Sequence, residues 1–147
     1  MSDGANKPAL AWFSAMRDHE GQPLALRVRP AADSAANRDS FPRLAILSQE
    51  LACVKSNGLP ENGYNNSLRG FDQDVHLFTE RDREGLIVLV ETFSGRRAYY
   101  AYVADVARLT SRITELRIKY PQHVIHLRFG MDSQWQFYNE YRHIFPW

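Results

Sequence analysis

Hydrophobic and polar residues alternate along several short stretches of the chain, each about the length of a β-strand. Leu24, Leu26 and Val28 alternate with small or charged residues, which is the period of a half-buried strand. Turn-forming residues such as His19-Glu20-Gly21-Gln22 and Ser94-Gly95 separate neighbouring stretches. The pattern predicts strands over residues 12–18, 24–29, 44–51, 86–93, 97–103 and 123–129.

Two longer stretches have apolar residues at helical spacing instead. Residues 67–83 predict a helix with one apolar face, and Gly85 follows where a helix stop is expected. Asp105 is a natural N-cap for a second helix that Pro121 ends. Asp132 predicts the cap of a last short helix that ends near residue 144.

From residue 44 onward the predicted order is strand, helix, strand, strand, helix, strand, which is the split βαβ arrangement of ferredoxin-like folds. Residues 86–90 are apolar on both faces, so the N-terminal hairpin is expected to pair beside that strand. Residues 30–42 read as a surface loop. The predicted fold is α+β, with a ferredoxin-like βαββαβ core, an added N-terminal β-hairpin and a short C-terminal helix.

Length and charge narrow the class of protein. The 147 residues suit one domain over 1–147, and we expect residues 1–8 to be flexible. With 18 basic and 17 acidic residues the net charge is +1, which disfavours a protein that grips nucleic acid through phosphates.

The apolar stretches and the single cysteine indicate the cellular compartment in which the protein is expected. The start lacks the basic and apolar segments of a signal peptide, and no apolar run reaches the roughly 20 residues that span a bilayer. Cys53 is the only cysteine, so no intramolecular disulfide forms, which suits a reducing compartment. We read Cys53 as a small, partly buried apolar residue. A cytoplasmic protein without a membrane partner is expected.

Candidate catalytic and metal-binding groups are few. Asp72, His76 and Glu80 recur every four residues on the first long helix, which is a donor set able to hold Zn²⁺. Their helical phase turns toward solvent, so we expect a solvated polar face. His123 and His126 lie three apart on a strand and therefore point to opposite faces. With no phosphate-binding loop or nucleophile motif, the prediction is no catalytic residue, no metal and no cofactor.

The strand Tyr99-Tyr100-Ala101-Tyr102 follows Arg96 and Arg97, a combination that invites comparison with RNA-binding sheets. The near-neutral charge argues against that comparison, and we expect these tyrosines to be core and sheet-surface residues. Similarly, Trp135 and Tyr138 are three residues apart, and we expect them to dock the C-terminal helix onto the sheet.

Several short motifs occur in a fixed order along the chain. They are Trp12, Asn57-Gly58-Leu59-Pro60, Thr92-Phe93-Ser94-Gly95-Arg96, Tyr99-Tyr100-Ala101-Tyr102 and Asp132-Ser133-Gln134-Trp135-Gln136-Phe137-Tyr138. Together they resemble the bacterial DUF695 family, which sometimes occurs beside a domain like the ribonuclease E regulator RraB. The resemblance covers most of the chain. It implies a bacterial cytoplasmic α+β domain and offers no established catalytic residues.

These observations favour a non-enzymatic cytoplasmic binding protein, specifically an immunity or inhibitor protein that neutralises a bacterial toxin by direct protein–protein contact. Tyr, Trp and Arg are enriched at binding hot spots, and the anchors expected in exposed segments are Tyr64, Arg96, Arg97 and Trp147. Two alternatives stay open: an RraB-like regulator of an RNA-processing enzyme, and a small hydrolase that uses Asp72, His76 and Glu80. The identity of the partner and the oligomeric state also stay open.

Overall fold

The computed structural model describes residues 11–147, which form a mixed α/β structure with one six-stranded sheet and five helices. The strands are β1 (Phe13–His19), β2 (Gln22–Val28), β3 (Arg43–Glu50), β4 (Gly85–Phe93), β5 (Arg96–Val103) and β6 (Val124–Met131). The helices are α1 (Ala35–Ser40), α2 (Asn62–Ser67), α3 (Arg69–Glu80), α4 (Val106–Lys119) and α5 (Gln136–Ile144), and a 3-10 turn (Arg81–Arg83) follows α3.

The strand order is β1-β2-β4-β5-β3-β6, and every neighbouring pair is antiparallel. Two tight turns fix the register of consecutive strands. Glu20 and Gly21 join β1 to β2, while Ser94 and Gly95 join β4 to β5. All four turn residues have positive φ, as a two-residue type I′ hairpin turn requires.

Strand β4 has helices or loops over both of its faces and a strand at each edge, which explains its long apolar run. It pairs with β2 on one side and β5 on the other. The β4–β5 register shifts between Ile87 and Leu89, so Val88 is the extra residue of a β-bulge. As a result Ile87 packs on one face, whereas Val88 and Leu89 both pack on the other.

Each face of the sheet carries its own hydrophobic core. On the upper face, α3 and α4 pack Phe71, Val75, Ile113 and their neighbours against β3, β4, β5 and β6. On the lower face, the segment from Trp135 through α5 packs against β2, β4 and β5. The sheet is therefore the middle layer of three.

Several boundaries differ from those that the sequence predicts. Residues 30–42 contain α1, capped by Ser34, in addition to loop. The helix predicted over 67–83 is α3 followed by the 3-10 turn, in which Asp82 has a positive φ of 58°. Helix α2 precedes it, in a stretch where no helix was predicted. The flexibility expected of residues 1–8 lies outside the described residues. Within residues 11–147, no helix is both long and apolar enough to cross a membrane.

Candidate functional site

A cleft opens on the upper face, where β1 and β2 face α2 and the beginning of α3. Its volume is about 570 Å³, which is within the range of ligand-binding pockets. We call it the arginine cleft, because three arginines and a single acidic residue line it. The lining residues are Ser14, Ala15, Met16, Ala25, Leu26, Arg27, Asn65, Asn66, Leu68, Arg69, Asp72, Val90, Thr92 and Arg97.

The cleft stays open because small side chains form its floor. The upper core takes its strand residues from β3, β4, β5 and β6, whereas α3 reaches β2 through the ion pairs of Arg27 and Arg29. On those strands Ser14 pairs with Arg27, and Met16 pairs with Ala25. Ala25 in turn pairs with Thr92 of β4. A larger residue at Ala25 would fill the space above the sheet.

An ion pair crosses one wall of the cleft. Arg27 donates from Nη2 to Asp72 Oδ1 at 2.7 Å and from Nη1 to Oδ2 at 3.4 Å. The hydroxyl of Tyr99, which is 1% exposed, donates to the same Oδ1 at 2.7 Å. Burial opposes ionisation of Asp72, but the arginine and the phenol together outweigh it, and the pKa of Asp72 lies below its ordinary value. Asp72 is thus an ionised hydrogen-bond acceptor.

A second ion pair lies about two turns further along α3, outside the cleft. Arg29 Nη1 donates to Glu80 Oε2 at 2.6 Å and to the Ile87 carbonyl at 2.9 Å. Glu80 Oε2 also accepts from the Ile87 amide at 2.9 Å. The Arg29 guanidinium stacks 4.4 Å from the Trp12 ring centre. This pair fastens α3 to β2 and β4.

His76 lies between these two ion pairs. Its ring contacts Trp12 edge-on, with 5.4 Å between the ring centres. Burial lowers the pKa of His76, and the two nearby arginines add to that effect, against the opposing carboxylates of Asp72 and Glu80. The imidazole is therefore neutral at pH 7.

The expected solvated face of Asp72, His76 and Glu80 is wrong. All three side chains are partly buried and turn toward β2. The two carboxylates are engaged by Arg27 and Arg29, which would compete with a metal ion. Among residues 11–147, no group of three or more His, Cys, Asp or Glu side chains is placed to hold a metal.

Arg97 forms the opposite wall of the cleft, whereas its neighbour Arg96 lies on the other face of the sheet. Arg97 Nε donates to Thr92 Oγ1 at 2.9 Å, and its Nη2 donates to Asn65 Oδ1 at 2.9 Å. Arg96 is exposed beside the hairpin turn. Arg69, the first residue of α3, is exposed at the rim.

Three of the four expected anchors, Tyr64, Arg97 and Trp147, are half-buried instead of exposed. Tyr64 lies in α2 and is half-buried, and its hydroxyl accepts a hydrogen bond from the Ala52 amide at 2.9 Å. Trp147 is also half-buried and packs on the lower face against Tyr138 and Arg142. The four predicted anchors, Tyr64, Arg96, Arg97 and Trp147, therefore do not form one patch. Only Arg97 lines the cleft.

Near the C-terminus, Asp132, Trp135 and Tyr138 hold the last segment of the chain against the lower face of the sheet. Trp135 is fully buried and stacks on Tyr102 with 4.1 Å between ring centres. It precedes α5 instead of lying on it, with a left-handed φ of 57°. Asp132 accepts from the Gln136 and Phe137 amides and from the Tyr102 hydroxyl. The motif docks the C-terminal segment onto the sheet, as expected. Asp132 accepts from the first two amides of α5, but the N-cap residue of the helix is Trp135.

The remaining sequence candidates are divided between the two faces. His123 packs against Phe71 on the upper face, with 4.6 Å between ring centres. His126 instead lies 2.7 Å from Glu50 on the exposed lower side of β6. Tyr100 is half-buried and stacks on Phe137, so its ring is not free to stack a base.

Cys53 is a free thiol on the surface. The sequence-based expectation that it is a partly buried apolar residue is therefore wrong.

The model of a family of unknown function, DUF695, matches residues 11–142. The chain belongs to this family. No curated protein and no solved structure matches the chain significantly. The family match confirms the resemblance drawn from the short motifs, two of which the fold brings together. The Gly58 carbonyl accepts from the Gly95 amide at 2.8 Å, and a Cβ on Gly58 would lie 2.8 Å from Ser94 Cα.

Sequence reasoning missed Arg27 and Arg69 as parts of the site. A signal for Arg27 was present, because Leu24, Leu26 and Val28 assign it to the opposite face of its strand. If that strand is covered on both faces, an arginine there needs an acidic partner. No comparable signal marks Arg69, since only the tertiary fold places it beside the cleft.

Proposed function

We propose that this protein is a non-enzymatic binding protein that engages a protein partner through the arginine cleft. The observation that carries the proposal is the set of three arginines, Arg27, Arg69 and Arg97, around one open cleft with a single carboxylate. Arginine is enriched at binding hot spots, and its planar fork suits acidic groups. A partner that presents acidic side chains fits this lining.

The chemistry of the cleft supports binding over hydrolysis. Its one carboxylate, Asp72, is held ionised by Arg27 and Tyr99, so it has no proton to give as a general acid. Glu80 is occupied by Arg29 and by the Ile87 amide, which removes it from the proposed hydrolase trio. A hydrolase that uses Asp72, His76 and Glu80 would have to break two ion pairs first.

We further infer that β3, α3, β4, β5, α4 and β6 form a ferredoxin-like core. The order β4-β5-β3-β6 supports this, because it is the order of a split βαβ fold. In this scheme β1 and β2 are an added hairpin that supplies the floor of the cleft, and α5 is an added helix. The cleft then lies at the junction between core and addition.

The specific version that we propose is an immunity or inhibitor protein, which occupies a bacterial toxin and so blocks it in the cytoplasm. The exposed free thiol of Cys53 suits a reducing compartment. Inhibition by occupancy needs a partner interface of about 1,200–2,000 Å² in total. The cleft would be the centre of that interface, and the exposed Arg69 would be part of its rim.

Affinity capture from the native organism tests the proposal, with a pair of matched steric variants. Ala25→Tyr fills the cleft, whereas Ser48→Tyr adds the same ring to the opposite face of the sheet, on β3. We expect wild type and Ser48→Tyr to retain one protein partner and Ala25→Tyr to lose it. Co-expression with the recovered partner should restore growth if that partner is toxic.

Other outcomes discriminate between the alternatives. Recovery of an RNA-processing enzyme would favour the hypothesis of a regulator over that of an immunity protein. The arginine cleft would still be the binding site. If Ala25→Tyr retains the partner as well as Ser48→Tyr does, the cleft is not the interface. If no partner is recovered and the pure protein turns over a small molecule in a way that His76→Ala abolishes, the binding proposal fails.

A further inference from the structure

The guanidinium of Arg97 is fixed in place while part of it stays available. Its bonds to Thr92 and Asn65 hold Nε and Nη2, one from β4 and one from α2. No acceptor among residues 11–147 bonds the remaining Nη1 group. Because the side chain is already ordered, a ligand that binds there loses less conformational entropy than one that must order a free arginine.

The charge of the cleft favours an anion. Arg27 and Asp72 neutralise each other through their hydrogen-bonded pair. Arg69 and Arg97 remain, and neither forms an ion pair within residues 11–147. Arg69 also stands at the N-terminus of the twelve-residue α3, whose dipole adds positive potential. An acidic group near these two arginines would balance the cleft.

The floor of the arginine cleft is partly apolar, so a ligand that contacts it needs an apolar group. Ala25 and Met16 lie above the outer strands, and Val90 and Leu68 continue the apolar surface inward. From β1 to β5 there are three strand spacings, which is about 14 Å. An extended peptide covers that distance in about four residues. A ligand that spans the cleft must therefore be amphipathic and of peptide length.

We infer that the arginine cleft recognises an acidic peptide segment in which a carboxylate side chain stands beside an apolar one. The carboxylate binds Arg97 and Arg69, and the apolar side chain lies over Ala25 and Met16. A carboxylate oxygen accepts from the remaining Nη1 group of Arg97, and the exposed Arg69 supplies a second charged donor. This inference rests on the proposed function, because it names the chemistry of the partner at the same site.

Blocked dipeptides test the inference without the natural partner. The probes are acetyl-Leu-Glu-amide and its neutral twin acetyl-Leu-Gln-amide, and the readout is the NMR shift of backbone amides and of arginine Nε–H groups. We expect saturable binding of the glutamate probe, about tenfold or more tighter than that of the glutamine probe. Arg97→Gln should lose that preference, Arg97→Lys should keep part of it, and Arg96→Gln should not change it.

Three results would overturn the inference. These are equal shifts with both probes, an unchanged preference in Arg97→Gln, and saturable binding of inorganic phosphate without binding of the glutamate probe. Amide spectra of each variant establish that it is folded. A positive result with the probe, together with no recovered partner and a turnover that His76→Ala abolishes, would leave the carboxylate site intact and defeat the proposed function, so the two failures are distinguishable.

Discussion

Each face of the sheet has a tyrosine hydroxyl bonded to an aspartate carboxylate, but the two pairs have different roles. On the upper face, the Tyr99 hydroxyl donates to Asp72 at 2.7 Å, and on the lower face the Tyr102 hydroxyl donates to Asp132 at 2.7 Å. Both tyrosines come from β5, three residues apart and therefore on opposite faces. Burial raises the pKa of both phenols, so both stay protonated donors.

The difference lies in what else each carboxylate holds. Asp132 accepts two backbone amides at the start of α5, so its oxygens stabilise the fold. Asp72 instead holds Arg27 beside an open cleft. The same tyrosine–carboxylate pair therefore closes one face and maintains a charged, accessible wall on the other.

Removing the ring that covers the lower face should have the largest effect. We expect Trp135→Ala to lower the free energy of unfolding by about 3–5 kcal/mol, the range for truncating a buried large aromatic residue. Denaturant unfolding measures it. Trp12→Ala is the matched control on the upper face, and its loss should be smaller because Trp12 is only partly buried. Equal losses of unfolding free energy in the two variants would contradict the greater structural role assigned to Trp135.

The two aspartates provide the next comparison. Asp132→Ala removes a helix cap, worth about 0.5–2 kcal/mol, and leaves a buried tyrosine hydroxyl unsatisfied, at a cost of about 1–3 kcal/mol. Asp72→Ala also leaves a buried tyrosine hydroxyl, that of Tyr99, without its acceptor. However, it removes no helix cap, and Arg27 can turn to water in the open cleft. We therefore expect Asp132→Ala to be the more destabilising substitution in equilibrium unfolding. The reverse order would contradict the structural role of Asp132.

The smallest expected effect is a pH dependence on the upper face. Burial lowers the pKa of His76 in the folded state below the ordinary value of 6.5. The unfolded chain therefore binds this proton first as the pH falls, and stability decreases from about pH 6.5 down to the folded-state pKa. His76→Gln should flatten the unfolding free energy in that window. An NMR titration that gives His76 a pKa above 6.5 would refute the prediction.

Much of the fold follows from local patterns in the sequence. The two hairpins could be predicted because Glu20-Gly21 and Ser94-Gly95 suit turns with positive φ. Helix α4 has a regular apolar face, a capping Asp105 and a terminating Pro121. In contrast, helix α2 was not predicted, because residues Asn62–Ser67 are mostly polar and include Gly63, which is the composition of a loop.

The site was harder to predict because its contacts are distant in sequence. Arg27 and Asp72 are 45 residues apart, and no local period links them. The alternation of β2 does place Arg27 away from the lower core, but not against α3. The exposure expected of Arg97 fails for a similar reason, since its partner Asn65 lies in a helix that the sequence did not predict.

The central claim, that the arginine cleft binds a protein partner, is tested most directly by two neighbouring substitutions. Arg97→Gln and Arg96→Gln make the same change on opposite faces of one strand, and the affinity of the recovered partner for each can be measured by calorimetry. We predict that Arg97→Gln weakens binding by about 2 kcal/mol or more, the cost of truncating one side of a hydrogen-bonded charge pair, while Arg96→Gln stays close to wild type. Equal affinities, or a larger loss in Arg96→Gln, would contradict the account.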